Sequence, residues 1–535
     1  MNKIFILVLL VVAALAGYLS LISTDVEFAP APIPEISLPA KNINSTVNYV
    51  APSLSSDSVE TREVQESSKE DKILRGEKLL YFRNKEAYES FLRRAQEEGL
   101  EIIGQLDELK LVRIRFRRAK SERDFLNDFT DVDFISENDS LETPAPLIQH
   151  KMVGFRDHPL KYLGISGNEK WGAGVTIAVV DSGVVEHRSM KDAKIKHFNL
   201  LGNSEIISKH GTSVTSLIVG NSNHIKGIAP AANILDFRAL SDEGRGDVFT
   251  VSQAIIMAVK NKARIINLSL GGRNDNPALQ DAILYAQNAG ALIVAAVGNE
   301  GAGTVSYPAA YPGVVGVGAI DAYENYQSFS NRGPEVDLVA PGVEIKAAGL
   351  NETITYFTGT SAAAPLVSAT LAYQLSQNPK LGNDELVEIL KDNSNDSGFP
   401  GGDNLYGEGI LNVRRIMDSG SSGVVDAAAA GFFLEPVENS NSFKLTFSGE
   451  NRGTQMLSEL QLSLSYPGFE KLYSFYGVEP SQTVFDYIEV PADSRLLNGD
   501  FELVLKTISK DGDRYKFNDV KSARIRLNAP ANESE

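Results

Sequence analysis

The sequence predicts an α/β protein built on a doubly wound, mostly parallel sheet, with a small α+β unit before it and a small all-β domain after it. Three observations carry this prediction. Short apolar runs rich in β-branched residues, Val175–Val180, Ile265–Leu268 and Ala291–Val297, are separated by helical stretches such as Val251–Val259 and Asn276–Gln287. This is the pattern of buried parallel strands and their crossovers. A β-α-β-β-α-β succession precedes them. Strands alternating polar and apolar residues follow them. At 535 residues there is room for about three domains, and 43% hydrophobic content is enough for a sizeable core.

The chain starts with Met1-Asn2-Lys3, then an apolar run from Ile4 to Ala16 ending in Ala14-Leu15-Ala16, an A-x-A-like cleavage site. The run stays mostly apolar to Ile22, close to the ~20 residues that span a bilayer. Residues 1–23 are therefore expected to be a signal peptide or a signal anchor, and the protein to be exported: secreted, periplasmic or held at the cell surface. Residues 24–75 contain Ala29-Pro30-Ala31-Pro32-Ile33-Pro34 and Ser53-Leu54-Ser55-Ser56. Such a Pro/Ser-rich stretch buries too little apolar surface to offset its ordering entropy and reads as a disordered linker.

The α+β unit is expected over residues 76–140. Leu79–Phe82 reads as a strand, and Asn84 caps a helix with Tyr88, Phe91, Leu92 and Ala95 at i, i+3, i+4 and i+7. Gly99 stops it. Leu100–Ile103 and Leu111–Phe116 are strands, Ser121–Phe129 is a second helix, and Val132–Ile135 closes a ferredoxin-like unit. That fold alone implies no function. The α/β unit is expected over residues 155–418. Ser419-Gly420-Ser421-Ser422-Gly423 is a linker of small residues. A β-sandwich-like domain is expected over 424–530, with strands at Phe443–Phe447, Leu460–Tyr466, Phe501–Thr507 and Ala523–Leu527 and a turn at Asp511-Gly512.

Composition excludes several classes. The formal net charge of −18 argues against a nucleic-acid partner, which selects basic stripes. The absence of cysteine excludes disulfides, thiolate metal sites and a cysteine nucleophile.

Three short segments carry chemistry: Val180-Asp181-Ser182-Gly183, His210-Gly211-Thr212-Ser213 and Gly359-Thr360-Ser361-Ala362-Ala363-Ala364-Pro365. A serine hydroxyl becomes a good nucleophile only when a base takes its proton, and histidine titrates where that base must. Of the six histidines only His210 opens a helix-compatible run of small residues. Asp181, after a strand, can orient the imidazole. Ser361, at a helix N-terminus, can exploit the backbone N–H groups there. Asn299, in Val297-Gly298-Asn299-Glu300-Gly301, can donate to a developing oxyanion.

These segments, with Gly227-Ile228-Ala229-Pro230, Asn267-Leu268-Ser269-Leu270-Gly271-Gly272, Ser328-Phe329-Ser330-Asn331-Arg332-Gly333, Val339-Ala340-Pro341-Gly342 and Tyr406-Gly407-Glu408-Gly409, resemble the subtilisin-like serine proteases (subtilases, peptidase S8 family) from about Trp171 to Val413. The order Asp, His, Ser is that of subtilisin itself. The resemblance implies an Asp181-His210-Ser361 triad with Asn299 in the oxyanion hole, acting on protein or peptide substrates. It implies that residues 76–140 are a propeptide that inhibits its own enzyme, with a tail from Glu137 to about Met152 lying in the active site. Substrate would add as a strand near Glu243 to Gly246 and near Ser269 to Gly271. The S1 pocket would be walled by Ser269, Leu270, Gly271 and Ala295 to Gly298 and floored by Ser306, for an apolar or aromatic P1 residue. No cofactor is required.

The chain departs from the family at Ser213, where a second histidine is usual, and at Ala362, where methionine is usual. It departs again at His187-Arg188-Ser189-Met190, where many members have His-Pro-Asp-Leu with a calcium-binding Asp. The common structural Ca²⁺ site is therefore expected to be absent, while scattered acids such as Asp242, Glu243 and Asp247 leave other Ca²⁺ sites open. The alternative to an active endopeptidase is a catalytically silent subtilase fold used for binding. Silent relatives usually lose a triad or oxyanion residue, and all four residues are present here.

Overall fold

A computed structural model describes residues 46–49, 76–98, 100–116, 132–144, 152–156, 159–202, 208–438 and 440–527. The expected leader over residues 1–23, most of the linker over 24–75, Gly99, the helix expected over Ser121–Phe129 and the tail after Pro144 up to Lys151 lie outside the described residues.

After the short strand Thr46–Tyr49 come four strands, β1 (Glu77–Tyr81), β2 (Ile102–Leu106), β3 (Leu111–Arg115) and β4 (Phe134–Glu137), with helix α1 (Lys85–Glu98) after the first of them. They form an antiparallel sheet in the order β2-β3-β1-β4. The Asn84 side chain accepts from the Ala87 N–H at 2.8 Å and starts α1. Side chains alternate across the pleat, and here both faces are covered. Leu80, Phe82, Val112 and Ile114 pack on Tyr88, Phe91 and Ala95 of α1. Leu79, Tyr81, Leu106 and Leu111 join the large core of the following unit. A three-residue strand, β5 (Ser140–Glu142), continues the chain.

The central unit is a seven-stranded sheet. Its strands are β6 (Thr176–Asp181), β7 (Lys194–Asn199), β8 (Asn233–Arg238), β10 (Ile265–Leu268), β11 (Leu292–Ala296), β12 (Val314–Ile320) and β13 (Leu338–Pro341), with a short β9 (Arg245–Asp247) outside the sheet. They lie in the order β13-β12-β11-β10-β6-β8-β7, every pair parallel. Besides a single turn at Pro159–Tyr162, the helices of this unit are α2 (His210–Val219), α3 (Val248–Lys260), α4 (Pro277–Asn288), α5 (Thr360–Gln377) and α6 (Asn383–Asp392). Asn276 accepts from the Ala278 N–H at 3.0 Å, so the foreseen helix starts one residue later with its asparagine as cap. An antiparallel pair, β14 (Ile345–Ala348) and β15 (Ile354–Phe357), precedes α5. Nearly all of α5 is buried, and its run of Ala and Ser lets it pass close to the sheet.

Helix α7 (Val413–Asp418) leads into the last unit. The linker Ser419–Gly423 is held as a turn, with Ser421 N–H on the Asp418 carbonyl at 2.8 Å and Thr454 Oγ1 on the Ser421 carbonyl at 2.6 Å. Seven strands follow: β16 (Ala427–Pro436), β17 (Ser442–Asn451), β18 (Leu457–Tyr466), β19 (Phe469–Val478), β20 (Thr483–Pro491), β21 (Leu503–Ser509) and β22 (Val520–Leu527). One sheet runs β16-β17-β20 and the other β22-β21-β18-β19, with Thr46–Tyr49 pairing parallel on the outer side of β22. Leu445 and Phe447 of the first sheet and Leu460, Leu462 and Leu464 of the second share one core. The four foreseen strands fall on β17, β18, β21 and β22; β16, β19 and β20 were not foreseen. Against the central unit, Glu450 of β17 sits between Arg415 at 2.5 Å and Arg452 at 2.9 Å, and all three side chains are almost wholly buried.

Candidate active site

Asp181 is the last residue of β6, at the carboxyl end of the parallel sheet where such folds gather their sites. Its carboxylate is fully buried and accepts from Ser182 N–H at 2.7 Å. His210 is the first residue of α2, and its Nδ1 lies 2.9 and 3.0 Å from the two Asp181 oxygens. That contact sets the tautomer: Nδ1 carries the proton and Nε2 is left to accept one. Phe357 meets the ring edge-on at 5.1 Å. Gly211 is needed here, because a Cβ would sit 2.5 Å from the Gly183 carbonyl oxygen.

Ser361 is the second residue of α5 and is 1% exposed. Its neighbourhood depends on Pro365, which has no N–H to close the turn on the Ser361 carbonyl. Ser269 Oγ fills that role, donating to the Ser361 carbonyl at 3.1 Å. Ser361 Oγ in turn donates to the Ser269 carbonyl at 3.3 Å. His210 Nε2 is buried and has no partner among the described residues.

Asn299 is fixed from one side. Its Oδ1 accepts from Thr360 N–H and Thr360 Oγ1, both at 2.9 Å, so Nδ2 faces the cleft. Gly359, at φ 133°, permits the approach, since a Cβ there would lie 2.8 Å from Nδ2. Nδ2 donates to the Pro144 carbonyl at 2.7 Å.

The chain after β4 thus lies in the cleft as a strand. β5 pairs antiparallel with β9, Leu141 opposite Gly246 and Glu142 opposite Arg245. On its other side Glu142 exchanges both backbone bonds with Gly271, at 2.9 and 2.8 Å. Thr143 N–H donates to the Gly244 carbonyl at 2.8 Å. Leu141 is 1% exposed and joins the large core beside Gly272. These are the two backbone stretches the sequence pointed to for an added strand.

Of the other residues expected to wall the S1 pocket, Leu270 and Ala295 are fully buried in the core. Gly298 and Gly271 both lie close against the Ser306 side chain. Asn331 Nδ2 donates to Ser306 Oγ at 3.2 Å and to Glu300 Oε2 at 2.7 Å. A Cβ on Gly298 would meet all three of these groups within 2.7 Å. The Glu300 carboxylate thus lies beside Gly298 and Ser306.

The departures from the family pattern have structural uses. Ser213 Oγ donates to the Ala348 carbonyl at 2.7 Å and ties α2 to β14. Ala362 is fully buried. His187 accepts from Ser189 N–H at 3.1 Å, and its Nε2 lies 3.1 Å from the Thr353 carbonyl. No group of three or more His, Asp or Glu side chains suited to a metal occurs among the described residues. A second Asp–His pair, His197 Nδ1 to Asp236 at 2.7 Å, lies on the neighbouring strands β7 and β8. Burial raises the Asp236 carboxyl above its usual range against the opposing hydrogen bond from His197.

Sequence reasoning missed the contacts that seat the first unit. Asn138 Oδ1 accepts from Phe249 N–H at 3.1 Å and the Asp139 carbonyl from Val248 N–H at 3.0 Å, capping α3 from outside its own chain segment. Asp139 Oδ2 accepts from Asn276 Nδ2 at 2.8 Å. Glu77, 1% exposed, holds Arg113 and Arg115, and Arg113 reaches Asp247 at 3.4 Å. Burial alone would raise the Glu77 carboxyl; hydrogen bonds from Arg115 and Arg113 outweigh it and hold the carboxyl below its usual range. The signal was the Asn138-Asp139 pair directly after a strand, two good capping residues with no helix of their own to cap.

The subtilase family (peptidase S8) matches residues 172–409. Subtilisin Savinase of Lederbergia lenta is 34% identical over 254 residues, covering 45% of this chain and 90% of that protein. An alkaline protease of Shouchella clausii is 29% identical over 346 residues, 60% of this chain and 88% of that one. A thermophilic serine proteinase of Bacillus sp. strain AK1 is 39% identical over 215 residues, 39% of this chain and 54% of that one. With 34% identity over a stretch that covers nine-tenths of a subtilisin, the chain belongs to the subtilase family and is a serine endopeptidase.

Proposed function

We propose that this endopeptidase is made as an exported, autoinhibited zymogen and cleaves protein or peptide substrates through an acyl-enzyme. Ser361 Oγ attacks the scissile carbonyl, His210 Nε2 takes its proton, and Asp181 holds the imidazole and stabilises its charged form. Asn299 Nδ2 donates to the oxyanion. The proton then passes from His210 to the leaving amine, and water releases the acyl group by the same route.

Substrate binds as an antiparallel strand between Arg245–Asp247 and Ser269–Gly271, so main-chain hydrogen bonds supply most of the affinity and the S1 residues around Ser306 tune P1. An apolar or aromatic P1 residue is favoured. Residues 76–140 are the prodomain, and the tail after them is its inhibitory strand. Residues 1–23 direct export, by a cleaved signal or as an anchor. Among the described residues no helix is long and apolar enough to cross a membrane. The last unit, over 424–530, stabilises the enzyme. No cofactor is needed, and Ca²⁺ at the common family position is not expected.

The observation that carries this reading is the Pro144 carbonyl on Asn299 Nδ2 at 2.7 Å, on a strand paired with backbone on both sides. The test compares wild type with Ser361→Ala. Wild type cleaves casein and labels with a fluorophosphonate; Ser361→Ala does neither. Identical behaviour of the two would leave only a binding role for the fold.

A further inference from the structure

We propose that Pro144 is a brake on its own cleavage: lacking an N–H, it leaves the Ser269 carbonyl free to hold the Ser361 hydroxyl away from His210. This rests on the reading of Ser361 as nucleophile and His210 as base.

The register carries the argument. Glu142 and Gly271 are a hydrogen-bonded pair of an antiparallel ladder, each N–H on the other's carbonyl. Such pairs recur every second residue. Two residues on, Pro144 stands opposite Ser269. Any other residue at 144 would donate its N–H to the Ser269 carbonyl there; proline cannot. Ser269 is fully buried, and a buried carbonyl takes a partner where one is within reach. The partner it has is Ser361 Oγ, at 3.3 Å. The same choice leaves His210 Nε2 buried and unpartnered, although His210 is otherwise fixed on Asp181. The Pro144 carbonyl is meanwhile seated on Asn299. The carbonyl is thus in position for attack, while the proton of the attacking hydroxyl points at an acceptor that cannot take it.

The blocked step is acylation. A bond forms between Ser361 Oγ and the Pro144 carbonyl carbon, and the Oγ proton moves to His210 Nε2. That proton then goes to the nitrogen of the following residue as its bond to the Pro144 carbonyl breaks. The sequence begins only when the hydroxyl leaves the Ser269 carbonyl for His210. A residue with an N–H at 144 would occupy that carbonyl and release the hydroxyl. The tail is therefore held as an inhibitor by one missing proton.

The experiment follows cutting after residue 144 by mass spectrometry, in the full-length chain and in Pro144→Ala. Pro144→Ala is expected to cut at least about tenfold faster, the worth of one buried hydrogen bond. Peptides spanning residues 140–147 are then added to the casein-cleaving enzyme, with proline, alanine or N-methylalanine at position 144. Only the alanine peptide should be cut quickly, because N-methylalanine lacks the N–H without having the ring. Equal cutting of the proline and alanine forms overturns the proposal. Fast cutting of the N-methylalanine peptide also overturns it, by assigning the effect to ring shape. An enzyme that neither labels with fluorophosphonate nor cuts casein would instead overturn the nucleophile assignment itself.

Discussion

The Asn299 side-chain oxygen accepts from both the backbone N–H and the hydroxyl of Thr360, each at 2.9 Å. A donor on both sides of that oxygen leaves the amide one orientation, with Nδ2 toward the cleft. Asn299→Ala and Asn299→Asp both remove the donor, and kcat is expected to fall by about 10²–10³, the size found for this donor in subtilisin. Asn299→Asp keeps an acceptor for Thr360, so it should unfold at a higher temperature than Asn299→Ala. Steady-state kinetics and thermal melts read the two effects separately.

Leu141 is the apolar anchor of the tail, 1% exposed among core residues. Leu141→Ala removes about 2–3 kcal/mol of that burial. The cleft of the intact chain should open more often, and fluorophosphonate should label Ser361 in the unprocessed chain on the order of 10–100 times faster. An unchanged labelling rate would mean that Leu141 does not hold the tail.

Asp396 gives stability a pH dependence. Burial, then the nearby Glu450 charge, raise its carboxyl to about 7 in the folded chain. The folded state thus prefers the protonated acid. Its contribution is fully present below the ordinary carboxylate range and is lost as pH rises to about 7. Asp396→Asn keeps an acceptor for the Gly401 N–H, now at 3.1 Å. It should raise stability by up to about 4 kcal/mol at pH 8, at about 1.4 kcal/mol per pKa unit, and change little at pH 4. Urea unfolding at the two pH values checks this.

Glu300 is exposed, and its carboxylate lies beside Ser306 and Gly298 through Asn331. A lysine at P1 should gain from it. Glu300→Gln should lower kcat/KM for a P1-lysine peptide a few-fold, with a P1-phenylalanine peptide unaffected and the difference shrinking in salt. Paired peptide assays at two ionic strengths test it.

What the sequence made legible follows from burial. Val175–Val180 and Ile265–Leu268 read as strands because both faces of a parallel sheet are covered, leaving continuous apolar runs. The segments around Asp181, His210, Ser361 and Asn299 stood out because close backbone approach demands small residues there. β19 and β20 were not, because Leu472, Tyr476, Phe485 and Tyr487 are exposed on them and blur the alternation that marks a strand. Nothing in the sequence singles out Glu450, Arg415 and Arg452, yet their charges are buried against one another. The seat of the Pro144 carbonyl on Asn299 was beyond reach, since it depends on a strand register between segments distant in the chain.

The Glu450 cluster has a thermodynamic consequence. Arg415 belongs to α7 and Glu450 to β17, and Arg415 also donates to the Ser394 and Asp392 carbonyls. Were the β-strands to melt first, Arg415 would keep those carbonyls but lose its counter-charge, and Glu450 would lose both cations. Breaking such a pair from one side costs about 3–5 kcal/mol. Neither sheet can then melt ahead of the other cheaply, and calorimetry of the chain should record one joint transition for α7 and the strands behind it. The cooperative unit is larger than either hydrophobic core.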